Sequence, residues 1–213
     1  MSDRSSAAVR KWDRAAPFMS SNERSEGIRY GAYKRDVFGQ ATGATLLVAV
    51  GAGADLKYFP AGIQLTAVDF SPRMLDFARA RLSECRSPVE LREADVTRLD
   101  FEDECFDTVA TSCTFCSVVD PVKGLQELHR VLKPEGKILM FEHVRPKIGW
   151  LGAMMDLMNP VARLFGPDVN RRTAENVRAA GFRITREHNV YLDMVKLFEG
   201  EKDESLPDPE RCI

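Results

Sequence analysis

The chain has 213 residues, 44% of them hydrophobic and 29% charged, and its 30 basic and 32 acidic side chains leave a net charge of −2. That is an ordinary globular balance, long enough for one real core, without the basic excess of a general nucleic-acid binder. No apolar run approaches the ~20 residues of a bilayer-spanning helix. The opening MSDRSSAAVRKWDR has no apolar signal segment, and five cysteines do not make a disulfide scaffold. The expectation is a single-domain, cytoplasmic protein with free thiols and no nucleic-acid partner.

Residues 1–40 read as a helical cover of two helices, 6–15 and 24–39, broken at Pro17. Arg10, Lys11, Trp12 and Arg14 make the first of these the candidate for peripheral membrane contact. The main domain spans 41–200. Strands are expected at 45–50, 64–69, 89–94, 106–111 and 136–144, alternating with amphipathic helices, which predicts a doubly wound, mostly parallel α/β sheet. Helix 72–83 opens on Ser71-Pro72 and the next on Asp120-Pro121, each a cap residue followed by proline in the first turn. Lys133-Pro-Glu-Gly136 ends the second helix and turns the chain into the fifth strand. Residues 146–170, rich in Met, Pro and Gly, read as an irregular insert forming an acceptor lid. A helix over 171–180 and two antiparallel segments, 182–191 and 193–199, complete the domain, and an acidic tail over 201–213 is expected to be disordered.

The first strand runs straight into Gly51-Ala52-Gly53-Ala54-Asp55-Leu56. Glycines there let backbone N–H groups approach a nucleotide-type cofactor at a strand–helix turn, although a tight turn without ligand uses them equally. The second strand ends in Asp69, placed beside that loop to take both hydroxyls of a ribose, or else to cap the following helix. Asp95 and Val96, at the end of the third strand, suit the exocyclic amine and the face of an adenine; a solvated loop acid is the alternative. A dinucleotide fingerprint is incomplete, because Leu56 stands where a third glycine belongs.

The stretches LLVAVGAGADLKYFP, AVDFSPRMLDFARARL and EADVTRLDFEDECFDTVATSCTFCSVVDPVKGLQELHRVLKPEGKILMFEHV resemble the class I S-adenosylmethionine-dependent methyltransferases, over roughly residues 45–200. The resemblance implies a Rossmann-like seven-stranded sheet with an antiparallel last strand. It implies S-adenosyl-L-methionine as cofactor and S-adenosyl-L-homocysteine as product, with Ala49, Gly51, Gly53, Asp69, Phe70, Met74, Asp95, Val96, Ser112 and Cys113 around it. The family's strand usually carries an acid before its glycines; here that position is Leu47, and the first glycine is Ala49. TFCSVVDP and MNPVARLFGPDVNRRTAENVRAAGF narrow the resemblance to the thiol methyltransferases and bacterial phospholipid N-methyltransferases.

On the same rim, Cys113 and Cys116 form a C-x2-C, read as pocket lining ahead of a redox pair or a zinc site, and no metal is expected. His143 is the candidate general base, with a hydrogen-bonding residue that holds the rim as the alternative. Asn170, Arg171 and Arg172 can hold an anionic group of the acceptor, or the two arginines form a solvated helix start. The expected acceptor is a small soft nucleophile, a thiol first. A phospholipid amine, a quinol-type carbon or oxygen, and a cofactor-binding protein without turnover are the alternatives.

Overall fold

The computed structural model describes residues 3–165, 168–203 and Ser205. Seven strands form one sheet: β1 (Ala44–Val48), β2 (Gln64–Asp69), β3 (Val89–Glu93), β4 (Phe106–Ser112), β5 (Leu132–His143), β6 (Phe182–Tyr191) and β7 (Val195–Lys202). Their order is β3-β2-β1-β4-β5-β7-β6. Strands β1 to β5 pair in parallel, and β7 runs antiparallel to both β5 and β6. The expected doubly wound, mostly parallel sheet with an antiparallel last strand is the observed one.

The helices are α1 (Asp3–Phe38), α2 (Pro72–Arg79), α3 (Pro121–Val131), α4 (Gly149–Phe165) and α5 (Thr173–Ala179). Central strands bury both faces, which is why their sequences read as continuous apolar runs. Leu46 and Val48 pack in one layer with Val109, Leu125, Leu128 and Met140. Leu47 faces the other layer, with Val37, Phe38, Leu65, Leu139 and Phe141. Helix α1 thus packs on one side of the sheet, and α3 and α5 on the other.

Both proline-capped helix starts form as expected. The Ser71 hydroxyl accepts from the Met74 amide at 3.1 Å, and Asp120 Oδ1 from the Lys123 amide at 3.1 Å. The larger differences from the sequence expectation are these. Helix α2 stops at Arg79 rather than 83. Strand β5 begins at Leu132, four residues early, because Leu132 pairs with Phe106 before a bulge carries 133–136 out of register. Strand β7 extends to Lys202, so the start of the expected disordered tail is ordered strand paired with β6; residues 206–213 lie outside the described residues. The expected irregular insert is mostly helix α4, which runs through Pro160.

The expected break at Pro17 is also absent: α1 is one helix with Pro17 inside it. A mid-helix proline forfeits one backbone hydrogen bond and costs ~3 kcal/mol in a helix on its own. Here Ala16, next to it, is fully buried against Ala52 and Met74, so tertiary contact holds the helix across the defect while the Pro17 ring faces solvent. Pro17→Ala should therefore stabilise the protein by about 1–3 kcal/mol, by restoring that bond without disturbing a packed face. Urea unfolding of the two proteins checks this, and an unchanged midpoint would show that α1 does not gain from continuity.

Candidate active site

The glycine loop leaves β1 in left-handed backbone at alternate residues: Ala49 at φ 54°, Gly51 at φ 57° and Gly53 at φ 86°. The two glycines serve different ends. A Cβ on Gly53 would lie 3.0 Å from the Ala78 Cα, so Gly53 lets the loop pack against α2. A Cβ on Gly51 would meet nothing nearer than the Ala49 carbonyl at 4.0 Å, so Gly51 keeps a face open for a ligand. Ala49 holds a conformation that costs an L-residue about 1–2 kcal/mol. Such strain concentrates where function fixes the backbone.

Asp69, buried at the end of β2, grips this loop. Its Oδ2 accepts from the Gly51 amide at 2.9 Å and its Oδ1 from the Ser71 amide at 2.9 Å. Burial raises its pKa, and these backbone bonds oppose the rise. Asp69 is therefore both the acid beside the loop and part of what shapes it. Helix α1 crosses above: Asp13 accepts a hydrogen bond from the Ser71 hydroxyl, while Trp12 and Phe77 pack around Ala16, Ala52 and Met74. Phe70 is half-buried beside Asp69. At the end of β3, Asp95 is exposed and accepts from both the amide and the hydroxyl of Thr97, at 2.9 and 2.8 Å. Val96 is 8% exposed and packs on Gly124 and Phe115 in the core.

The strands on the other side of the crevice, β4 and β5, contribute the rim. Ser112 ends β4, and Cys113 follows at φ 51° with its amide donating to the Phe141 carbonyl at 2.7 Å. Glu142 is fully buried and ties the β4–α3 loop to β5. It accepts from the Thr111 hydroxyl at 2.8 Å and from the Thr114 and Phe115 amides at 3.1 and 3.2 Å. Burial pushes its pKa up to about 7 against that support. The next residue, His143, is exposed on the rim, yet enough protein crowds the ring to lower its pKa. Its imidazole is neutral at pH 7 and can accept a proton.

Burial raises both rim thiols, Cys113 well above its ordinary value and Cys116 to about 12. The Cys116 thiol donates to the Cys113 carbonyl at 3.0 Å. Both are therefore protonated at neutral pH, whereas disulfide exchange and zinc binding need thiolate. Among the described residues, no group of three or more His, Cys, Asp or Glu could hold a metal ion.

The sequence reading missed Lys34. It is 3% exposed, binds Glu26 at 2.6 Å and Asp55 at 2.8 Å, and its ammonium lies 5.1 Å from the centre of the Phe141 ring. Burial alone would lower its pKa, but Asp55 and Glu26 outweigh this and keep it charged. The clue was its spacing: Tyr30, Lys34 and Val37 fall on one helical face, and that face is buried. Leu47 fills the position of the family's usual acid and packs in the core. Negative charge at the loop comes from Asp55 and Asp69 instead.

Asp168, Asn170, Arg171 and Arg172 line a polar cavity of about 320 Å³ with Pro121, Asn159 of α4 and Asn176 of α5. Arg171 pairs with Asp168 and donates to the Val118 carbonyl at 2.9 Å, and its Nε is buried without a partner. Of the expected lid residues, Met154, Leu157 and Met158 are exposed to solvent.

A family model described as a methyltransferase domain matches residues 46–140, the stretch from β1 to β5. The chain is 30% identical over 181 residues to a demethylmenaquinone methyltransferase of Deinococcus radiodurans, with 73% of each chain covered. The chain belongs to the class I S-adenosylmethionine-dependent methyltransferases. It is 36% identical over 114 residues to a phosphatidylethanolamine N-methyltransferase of Cereibacter sphaeroides, covering 53% of this chain and 56% of that one. It is 29% identical over 163 residues to the human thiol S-methyltransferase TMT1B, covering 70% and 67%. The fold matches a Haloferax volcanii methyltransferase solved with the Trm112 activator, at TM-score 0.72, 17% identity and coverage of 90% and 97%. This methyltransferase uses S-adenosylmethionine, and the open face at Gly51 beside the Asp69 carboxylate fits that cofactor. Family membership sets aside a protein that binds cofactor without turnover.

Glu142 gives the methyltransferase a pH signature. Its folded pKa of about 7 exceeds the ordinary 4.5, so the folded chain keeps a proton that the unfolded chain loses between those values. Its contribution is complete below about pH 4.5 and falls by about 3 kcal/mol as pH rises through about 7. Glu142→Gln should flatten the stability profile between pH 5 and pH 7 relative to wild type. Denaturant titrations at the two pH values measure the difference, and parallel profiles would mean that Glu142 is charged throughout.

Proposed function

We propose that this methyltransferase acts on an apolar acceptor from a lipid phase, a quinol ring first, and that His143 takes the proton the acceptor gives up. The observation that carries this reading is the neutral imidazole on an accessible rim, with a pKa held below its ordinary value by burial. The similarity to demethylmenaquinone methyltransferases supports the ring acceptor, and the similarity to a phosphatidylethanolamine methyltransferase supports delivery from lipid. A small thiol is the second reading, favoured by the similarity to the human thiol methyltransferase.

S-adenosylmethionine supplies a sulfonium methyl group and leaves as a neutral thioether. In this reading Asp69 holds the ribose, with Gly51, Gly53 and Ala49 cradling the cofactor's backbone-facing side. Phe70, Met74, Asp95 and Val96 border the adenosine, with Val96 backing the pocket from the core. Ser112 and Cys113 border the methionine end, where a protonated thiol adds no competing nucleophile. Helix α1 covers the loop and excludes water, supported by its contacts at Asp13 and Ala16. The chain's main work is to align acceptor and methyl group, and His143 adds proton removal.

Asp69→Ala should weaken S-adenosylhomocysteine binding by about 30–150-fold, the worth of a charge-assisted bond of ~2–3 kcal/mol. Calorimetry on the folded variant checks this, and unchanged affinity would remove Asp69 from the cofactor site. His143→Gln should lower kcat by about 10²–10⁴-fold and abolish an acid limb in the pH–rate profile. In wild type, that limb falls where the imidazole gains its proton, below pH 6.5. The assay supplies a naphthoquinol, phosphatidylethanolamine and small thiols with labelled cofactor. Transfer to thiols alone would promote the second reading, and an acid limb surviving in His143→Gln would remove the base.

A further inference from the structure

Helix α4 is built inside out. Its underside is polar: Asn159 is buried, its amide donates to Asp168 Oδ1 at 2.9 Å, and its carbonyl accepts from the Val169 amide at 2.8 Å. Gly152, also on that side, packs so closely on the Arg145 guanidinium that a Cβ would lie 2.7 Å from it. Asp156, the only carboxylate in the helix sequence, is held by Arg145 at 2.8 Å and by Asn170 at 3.0 Å. The solvent side carries Trp150, Met154, Leu157, Met158 and Val161, at spacings of four, three, one and three. Trp150 is 72% exposed and Leu157 81%. A helix facing water normally shows the reverse arrangement. A continuous exposed apolar face marks a docking surface.

We propose that the outer face of α4 lies in the headgroup region of a phospholipid bilayer and docks the methyltransferase there, on the rim where its acceptor enters. This rests on the reading that the acceptor comes from lipid. From Trp150 to Val161 the stripe is about 16 Å long, too short to span a bilayer but suited to lying in its surface. Among the described residues, no helix is long and apolar enough to cross a membrane. Charge identifies the occupant. Lys147 just before α4 and Arg172 just after the 168–171 segment are exposed; their ion pairs with Glu187 and Glu175 are loose, at 3.4 and 3.5 Å, and Asp193 and Asp156 also lie near them. Such cations complement lipid phosphates. A second copy packed on the same face would bring like charges together instead. Trp12, the aromatic that drew attention to the N-terminal helix, is partly buried against Ala16 and Met74.

The test is sedimentation with vesicles of phosphatidylcholine and phosphatidylglycerol. The full chain should pellet with them, and Leu157→Asp with Val161→Asp should reduce the partition coefficient by about tenfold or more. In a Trp12→Phe background, Trp150 is the only tryptophan, and its emission should shift to the blue when vesicles are added. Equal S-adenosylhomocysteine binding by wild type and the double variant shows that the variant is folded. Failure of wild type to pellet, equal pelleting of the variant, or a dimer broken by the variant without vesicle binding would each overturn the proposal. The two readings fail separately. Vesicle binding without methyl transfer to any lipid-borne acceptor sinks the acceptor reading alone. Transfer to detergent-dispersed acceptor without vesicle binding sinks the docking surface alone.

Discussion

The whole site depends on one topological constraint: the strand order reverses between β1 and β4. Parallel strands need crossover connections, and those following β1 and β4 leave to opposite sides of the sheet: Leu56 and Tyr58, in one 3-10 turn after β1, pack with Leu47, whereas α3 after β4 packs with Leu46 and Val48. A crevice must therefore open at the carboxyl ends of these two strands. The two strained residues at those ends, Ala49 and Cys113, sit on its two walls. Every other site feature grips one wall or the other. Asp69 fixes the glycine loop from β2, and Glu142 fixes the β4–α3 loop from β5. Each is a buried carboxylate spending its lone pairs on backbone amides, which is how loops that cannot form sheet ladders acquire fixed shapes.

Lys34 joins those walls to the cover. A buried lysine left unpaired would lose its proton or unfold its surroundings, so its two carboxylates are a condition of its position. Glu26 comes from the same helix, but Asp55 comes from the glycine loop, and the ring of Phe141 comes from β5. One ammonium thus fixes α1 against both sides of the crevice at once. The reach of α1 toward the loop is secured there, well away from Pro17.

The strands, the reversal point and the glycine loop were legible because they rest on local signals: apolar runs, cap-proline starts and glycines after a strand. Asp69 was legible for the same reason, at a strand end beside that loop. What escaped the sequence depended on partners distant in the chain. Pro17 read as a break because the packing of Ala16 on Ala52 and Met74 is not a local property. Lys34 drew no notice in the sequence, although its spacing from Tyr30 and Val37 already put it on the inner face. The strand-end placement of Asp95 and Val96 was legible too, but not that Val96 packs into the core while Asp95 closes a turn with Thr97. The insert misled most, because Gly and Pro imply irregular chain, whereas the polar underside that holds α4 in place draws on Arg145, Asp168 and Asn170.

The sheet's one antiparallel strand also sets the order in which the molecule can be assembled. Strand β6 has no partner except β7, and β7 must enter between β5 and β6. During synthesis β5 is complete long before its neighbour exists, so its outer edge stays open while some fifty further residues are made, a count that follows from the span between His143 and Val195. That edge is long and apolar, with Leu139, Met140 and Phe141 at its centre, and an unpaired edge of this kind recruits other strands. Closure by non-local pairing is slow. The nascent protein therefore spends its most aggregation-prone interval waiting for its last strand, and a chain truncated before Val195 would stay in that state.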